Sequence, residues 1–199
     1  MQPSRTDWRR EMSYNILTDR LPDYVTLDGR KYGIRTDFRR WILMLELLDE
    51  CREKSTARID ALTAALSSMP LVMRDPEECS SLPAEEKIRL LGELARFAAF
   101  GVKEDKRPDG READVEQAFD FYADAGLILS SFLSEYGIDL TKESMHWWKF
   151  LTLLRSLPSE SDFMRVVRLR LCDTTKIADD SARRQMRRAK AAVRIRKPQ

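Results

Sequence analysis

Residues 144–158, SMHWWKFLTLLRSLP, limit the fold more than any other stretch of this chain. Trp147, Phe150, Leu151 and Leu154 recur at the three-and-four spacing of one helical face, with Met145 and Trp148 beside them. A helix this aromatic has to lie against a core, and the spacing predicts it over 142–157, with Pro158 closing it. Successive helical residues point about 100° apart. Trp147 therefore takes the centre of the stripe, and Trp148 covers a rim or a partner surface. His146 is the only histidine in the sequence. Beside that stripe it reads as a polar residue at the core's boundary, not as a catalytic base.

The chain opens differently. Asp28-Gly29 lies between the β-prone runs Tyr24-Val25-Thr26-Leu27 and Arg30-Lys31-Tyr32-Gly33-Ile34, the pattern of a hairpin closed by a type I′ turn. An isolated hairpin is marginal in water and needs a partner. The next segment supplies one: Thr36 or Asp37 can cap a helix carrying Phe38, Trp41, Ile42, Leu45 and Leu48, which runs to about residue 53. STARIDALTAALSSMP predicts a second helix with Ile59, Leu62, Leu66 and Met69 on one side, ended by Pro70.

Pro70, Pro76 and Pro83 mark a loop, and a strong helical signal follows, with Ser81 near its N-cap, Glu85 and Glu86 in its first turn and Gly101 at its stop. Residues 103–114, almost all charged, read as an exposed loop. Phe119, Tyr122, Ala123, Leu127 and Phe132 share a helical face that ends at Gly137. Ser159 or Ser161 can cap the segment DFMRVVRLRLC, with Phe163, Val166, Val167 and Leu171 as its apolar stripe beside Arg165, Arg168 and Arg170. The class is mainly α: a compact bundle of about six to seven helices with a small N-terminal β-hairpin and a basic C-terminal helix. Residues 1–12 form a flexible extension, 13–178 a single helical domain, and 179–199 a basic helix or tail.

Charge is unevenly placed. Residues 183–197 carry eight Arg or Lys and no acid, so a formal total of +2 hides an acidic body with a basic end. Arg183, Arg184, Arg187, Arg188, Lys190 and Arg194, followed by Arg196 and Lys197, suit an acidic protein surface or, less well, phosphates, since no aromatic residue for base stacking accompanies them. Cys51, Cys79 and Cys172 are too far apart for a zinc motif and read as free thiols in a reducing compartment. Phosphate-cradling glycine motifs are absent. Asp120 and Asp124, one turn apart on the predicted helix, read as a solvated face. No nucleophile signature surrounds His146, so the expectation is a nonenzymatic protein that needs no cofactor or metal. The apolar runs are too short to span a bilayer, and the N-terminus lacks the pattern of a secretory signal.

Three segments, NILTDRLPDYVTLDGRKYGIRTDFRRWI, FDFYADAGLILSSFLSEYGIDL and MHWWKFLTLLRSLPSESDFMRVVRLR, together resemble the bacteriophage gene-product-fifteen family of phages and prophages of Gram-positive bacteria, over roughly residues 13–195. The family's gene typically lies beside that of the tape measure protein. The resemblance thus implies a tail assembly chaperone or assembly factor, with the tape measure protein or other tail proteins as partners, self-association as a further expectation, and the host cytoplasm as its place of work. The family brings no catalytic residues. A nucleic-acid-binding or regulatory protein acting through the basic end is the alternative.

Overall fold

A computed structural model describes residues 18–54, 58–99 and 118–195, with the side chains of 50–61 left aside. The predicted extension at 1–12, the charged loop at 103–114, Gly101, Arg196 and Lys197 lie outside what is described, as does the side chain of Ile59.

The hairpin pairs β1 (Tyr24–Leu27) with β2 (Arg30–Gly33) antiparallel, Tyr24 opposite Gly33 and Leu27 opposite Arg30. Asp28 (φ 51°) and Gly29 (φ 80°) both take the positive φ that a type I′ turn needs. Val25, Leu27 and Tyr32 face inward, as the period of two requires. Past β2 the backbone is stitched to residues 72–74: Arg35 N–H donates to the Val72 carbonyl (2.7 Å) and Arg74 N–H to that of Gly33 (2.9 Å).

Eight α-helices follow among the described residues. The first, α1 (Phe38–Lys54), is capped by Asp37, whose Oδ1 accepts the Arg39 N–H at 3.0 Å. Along it Phe38, Trp41 and Met44 are buried. α2 (Arg58–Ser68) packs on α1 and passes into a 3₁₀ turn that includes Pro70. Ala65 and Met69 are buried there, whereas Leu62, expected inside, is exposed. The proline-marked loop contains a short helix that the sequence pattern does not announce, α3 (Pro76–Ser81). Asp75 caps it by accepting the Glu77 and Glu78 N–H groups, and Pro76 fills its first turn. α4 (Ala84–Ala98) packs against β1 and buries Leu90, Leu94 and Phe97. Its N-cap is Pro83, not Ser81, whose hydroxyl donates to the Glu78 carbonyl instead.

α5 (Ala125–Tyr136) starts later than the periodicity predicts. Residues 118–120 are irregular and 121–124 form turns, so Phe119 packs on the core while Tyr122 stands 67% exposed. Gly137 closes the helix at φ 67°, its N–H donating to the Leu133 carbonyl. The aromatic helix, α6 (Trp147–Arg155), is shorter than expected because His146 caps it. It buries Trp147, Phe150, Leu151 and Leu154, the predicted stripe, and also Trp148. α7 (Asp162–Leu171), capped by Ser161, packs on α5, and α8 (Asp180–Ala192), capped by Asp179, packs on α7.

The buried apolar residues of the hairpin and of α1, α4, α5, α6 and α7 form one cluster. At its centre Trp41 lies 4.7 Å from Phe97 and 6.3 Å from Trp147, and Phe150 stacks between Phe38 (4.6 Å) and Phe132 (5.4 Å), ring centre to ring centre.

The glycines make the backbone argument testable. Ala at Gly29 or Gly137 is expected to cost about 1–2 kcal/mol, because a Cβ disfavours positive φ. Gly92 lies inside α4 with nothing within 4 Å of an added Cβ. Gly92→Ala should therefore stabilise by up to about 1 kcal/mol. Urea unfolding midpoints at constant m report all three.

Candidate partner-binding surface

His146 and the two tryptophans after it belong to the framework. As the N-cap of α6, His146 accepts the Trp148 N–H at Nδ1 (3.1 Å), which places its proton on Nε2, 3.0 Å from the Pro22 carbonyl that accepts it. Desolvation pushes the imidazole below its ordinary value of 6.5, outweighing the Pro22 hydrogen bond and nearby Asp23. The ring is thus a neutral clamp between α6 and the segment leading into β1. The indoles reach across to α4: Trp147 Nε1 donates to the Ala98 carbonyl (3.0 Å) and Trp148 Nε1 to that of Phe97 (2.9 Å). These are the last carbonyls of α4, which the regular helix ladder leaves over; that of Phe97 also accepts the N–H of the capping Ala99. Trp148 is 1% exposed, so its expected role as a partner contact is overturned. The end of α4 lies over the position that the helical wheel leaves open.

The Asp120 and Asp124 pair is corrected as well. Since α5 begins only at Ala125, the two do not share a solvated helical face. Asp120 Oδ1 accepts the N–H groups of Tyr122 (2.9 Å) and Ala123 (2.7 Å), shaping a turn. Asp124 is 2% exposed and holds Arg170 in a fork, with NH1 donating to Oδ2 (2.6 Å) and NH2 to Oδ1 (2.8 Å). Arg170 also donates to the carbonyls of Ala118 (3.3 Å) and Val193 (2.6 Å). One buried guanidinium therefore joins the start of α5, α7 and the end of α8.

A signal for it lies in the sequence. Seven residues after Phe163, Arg170 returns to within about 20° of that buried ring, while Leu171 stands about 80° away. Leu171, expected in the stripe, is 51% exposed. The sequence pattern does not reveal which acid meets Arg170.

The basic set divides into ties and free cations. Arg183 turns back to the Ile177 carbonyl (2.9 Å) and to Asp180 (3.1 Å), and Lys190 Nζ reaches the Cys172 carbonyl (3.1 Å). Both fasten α8 in place. Arg184, Arg187, Arg188 and Arg194 are exposed, and among the described residues none of them forms an ion pair. Arg184 and Arg188 follow one another one turn apart, with Arg187 beside them. Where this column ends, a groove of about 640 Å³ opens between α5, α7 and the end of α8. Leu127, Val166, Val193 and Ile195 wall it, Tyr122 and Arg194 stand at the edge, and the Asp124–Arg170 pair forms its floor. The cations are visible in the sequence but the groove is not, since it exists only where three distant segments converge.

Two measurements test these assignments. Asp124→Ala should cost about 3–5 kcal/mol by leaving a buried arginine unpaired, while Asp124→Leu with Arg170→Met should recover much of that loss. Acid should probe His146. The unfolded imidazole takes its proton near 6.5 and the folded one only lower, so stability present above about pH 6.5 is lost as pH falls through that value to the folded one. His146→Asn, which can still cap α6, should abolish this slope in urea unfolding compared between about pH 7.5 and 5.5.

Among the described residues no helix is long and apolar enough to cross a membrane. In comparisons with known proteins, no curated protein and no solved structure matches the chain. The family model described as Bacteriophage Gp15 protein matches residues 17–195, which includes the hairpin, the core helices and the basic helix α8. The chain belongs to that family and is a phage protein.

Proposed function

We propose that this chain is a nonenzymatic assembly factor of the phage tail, a chaperone that acts on the tape measure protein in the host cytoplasm. The observation that carries this reading is the family match over residues 17–195, taken with the placement of the family's genes next to that of the tape measure protein. The geometry supports it from the chemical side. The groups that come nearest to catalytic candidates have structural work: His146 is a neutral cap, and Asp124 is consumed by Arg170. The surface has what reversible contact with a long helical client needs, which is exposed charge beside an apolar groove.

Coexpression with the tape measure protein tests the proposal. The expected outcome is a complex that copurifies at low salt and weakens as salt rises, with the chain missing from purified virions by mass spectrometry. Failure to copurify, together with normal tails in a phage lacking the gene, would sink it.

A second reading uses the same free arginines as phosphate ligands. Three of them engaged on duplex DNA give a salt slope near −3 in log–log form. A steep slope of that size, lost on deleting residues 183–199, would favour nucleic acid over a tail protein.

A further inference from the structure

We infer that the arginine column of α8 and the groove at its end form one docking surface for an acidic amphipathic helix of a partner protein, which seats an apolar side chain in the groove and lays its acids along Arg184, Arg187 and Arg188. This deepens the tail-assembly reading and rests on it for the identity of the client.

Continuity carries the inference. Arg184, Arg188 and Ala192 succeed one another a turn apart, and Ala192 is already part of the groove wall. From Arg184 to Ala192 the helix rises about 12 Å. A helix lying alongside therefore meets the groove with one residue and the arginines with residues one and two turns away. Its recognition pattern is an apolar anchor with Glu or Asp at those two distances on a single face.

Complementarity selects the partner. The column presents cations that no acid of the described chain satisfies. Charge-matched residues on a client gain most where the opposite charge is not already engaged. A second copy is a poor occupant, because prominent acids around the hairpin already hold arginines of their own: Asp23 with Arg74, Asp28 with Arg89 and Glu78 with Arg30. Nucleic acid is also a poor fit. The groove walls are aliphatic, and the polar floor pairs Asp124 with Arg170, which offers a phosphate little.

The anchor site is preformed. Arg170 hydrogen-bonds the Val193 carbonyl at 2.6 Å and so holds the end of α8 against α5 and α7. The groove does not have to be built when a client arrives, which lowers the ordering cost of binding.

The test uses the full chain and a labelled helical peptide of about 20 residues, long enough to be partly helical in water. The peptide carries one leucine anchor and glutamates one and two turns from it. A twin has glutamine in place of glutamate, and a single-stranded thymidine oligonucleotide serves as the nucleic-acid arm. Fluorescence polarisation should show binding that weakens about tenfold or more in the glutamine twin. A comparable loss is expected in Arg184→Glu/Arg187→Glu/Arg188→Glu and, independently, in Tyr122→Ala/Ile195→Ala, while circular dichroism shows both variants folded. Wild-type binding by the second variant would remove the groove from the surface. Oligonucleotide binding that competes with the peptide and is lost in the charge reversal would replace the partner class. The two variants also separate this surface from the wider reading: a tape measure complex retained by both overturns the surface but not the function. Peptide binding as expected, without a tape measure complex, keeps the surface and overturns the client.

Discussion

The indole N–H groups of Trp147 and Trp148, closing the last carbonyls of α4, are the contact on which the rest of the core depends. A helix end that runs into a core brings acceptors with it, and each one left unpaired costs about 1–3 kcal/mol. Here the aromatic residues that fill the core also answer those acceptors. Phe97, whose carbonyl is one of the two, stacks on Trp148 and lies tilted against Trp41. Hydrophobic burial and hydrogen bonding thus act through the same side chains, and adjacent tryptophans on one helix make sense only because a second helix terminates against them.

Arg170 and Asp124 work on a different principle. A buried ion pair contributes little net stability once desolvation is counted. Its effect is positional: a fork of fixed geometry meets one carboxylate and two backbone carbonyls. An apolar replacement could fill the volume without specifying where α8 ends. The exposed cations of α8 keep a defined place relative to the groove because this interior cation holds the helix.

Much of the architecture was legible from local rules. Asp28-Gly29 called for the hairpin, Gly137 for the end of α5, Ser159 or Ser161 for the start of α7, where Ser161 is the cap, and the spacing from Trp147 to Leu154 for the core face of α6. What local rules misplaced depends on distant chain. The apolar residues at 118–123 imitate helical periodicity, yet Asp120 gathers their N–H groups into a turn. Proline spacing hid α3, although Asp75 before Pro76 is a sound helix start. Trp148 looked free because a helical wheel knows nothing of α4, and the partner of Arg170 stayed hidden because it lies 46 residues earlier. The cations of the surface could be read from composition. Their division into inward ties and outward contacts could not, since the exposed Arg187 shares a helical face with Arg183 and Lys190, both of which turn back to the chain.

The clamp between the entry to the hairpin and the start of α6 has a consequence for how the protein is made. Pro22 and His146 are 124 residues apart in the chain, and Thr36 and Phe38 likewise wait for Trp147 and Met145. At about 5–20 residues per second a ribosome needs roughly 6–25 s to deliver the second half of that contact. Throughout that interval the hairpin and α1 are outside, or leaving, the exit tunnel with the Trp41 face incompletely covered. A nascent chain stalled before residue 144 can cover it only in part, because Phe97 is already made while Trp147 is not. The protein completes its core only near the end of translation.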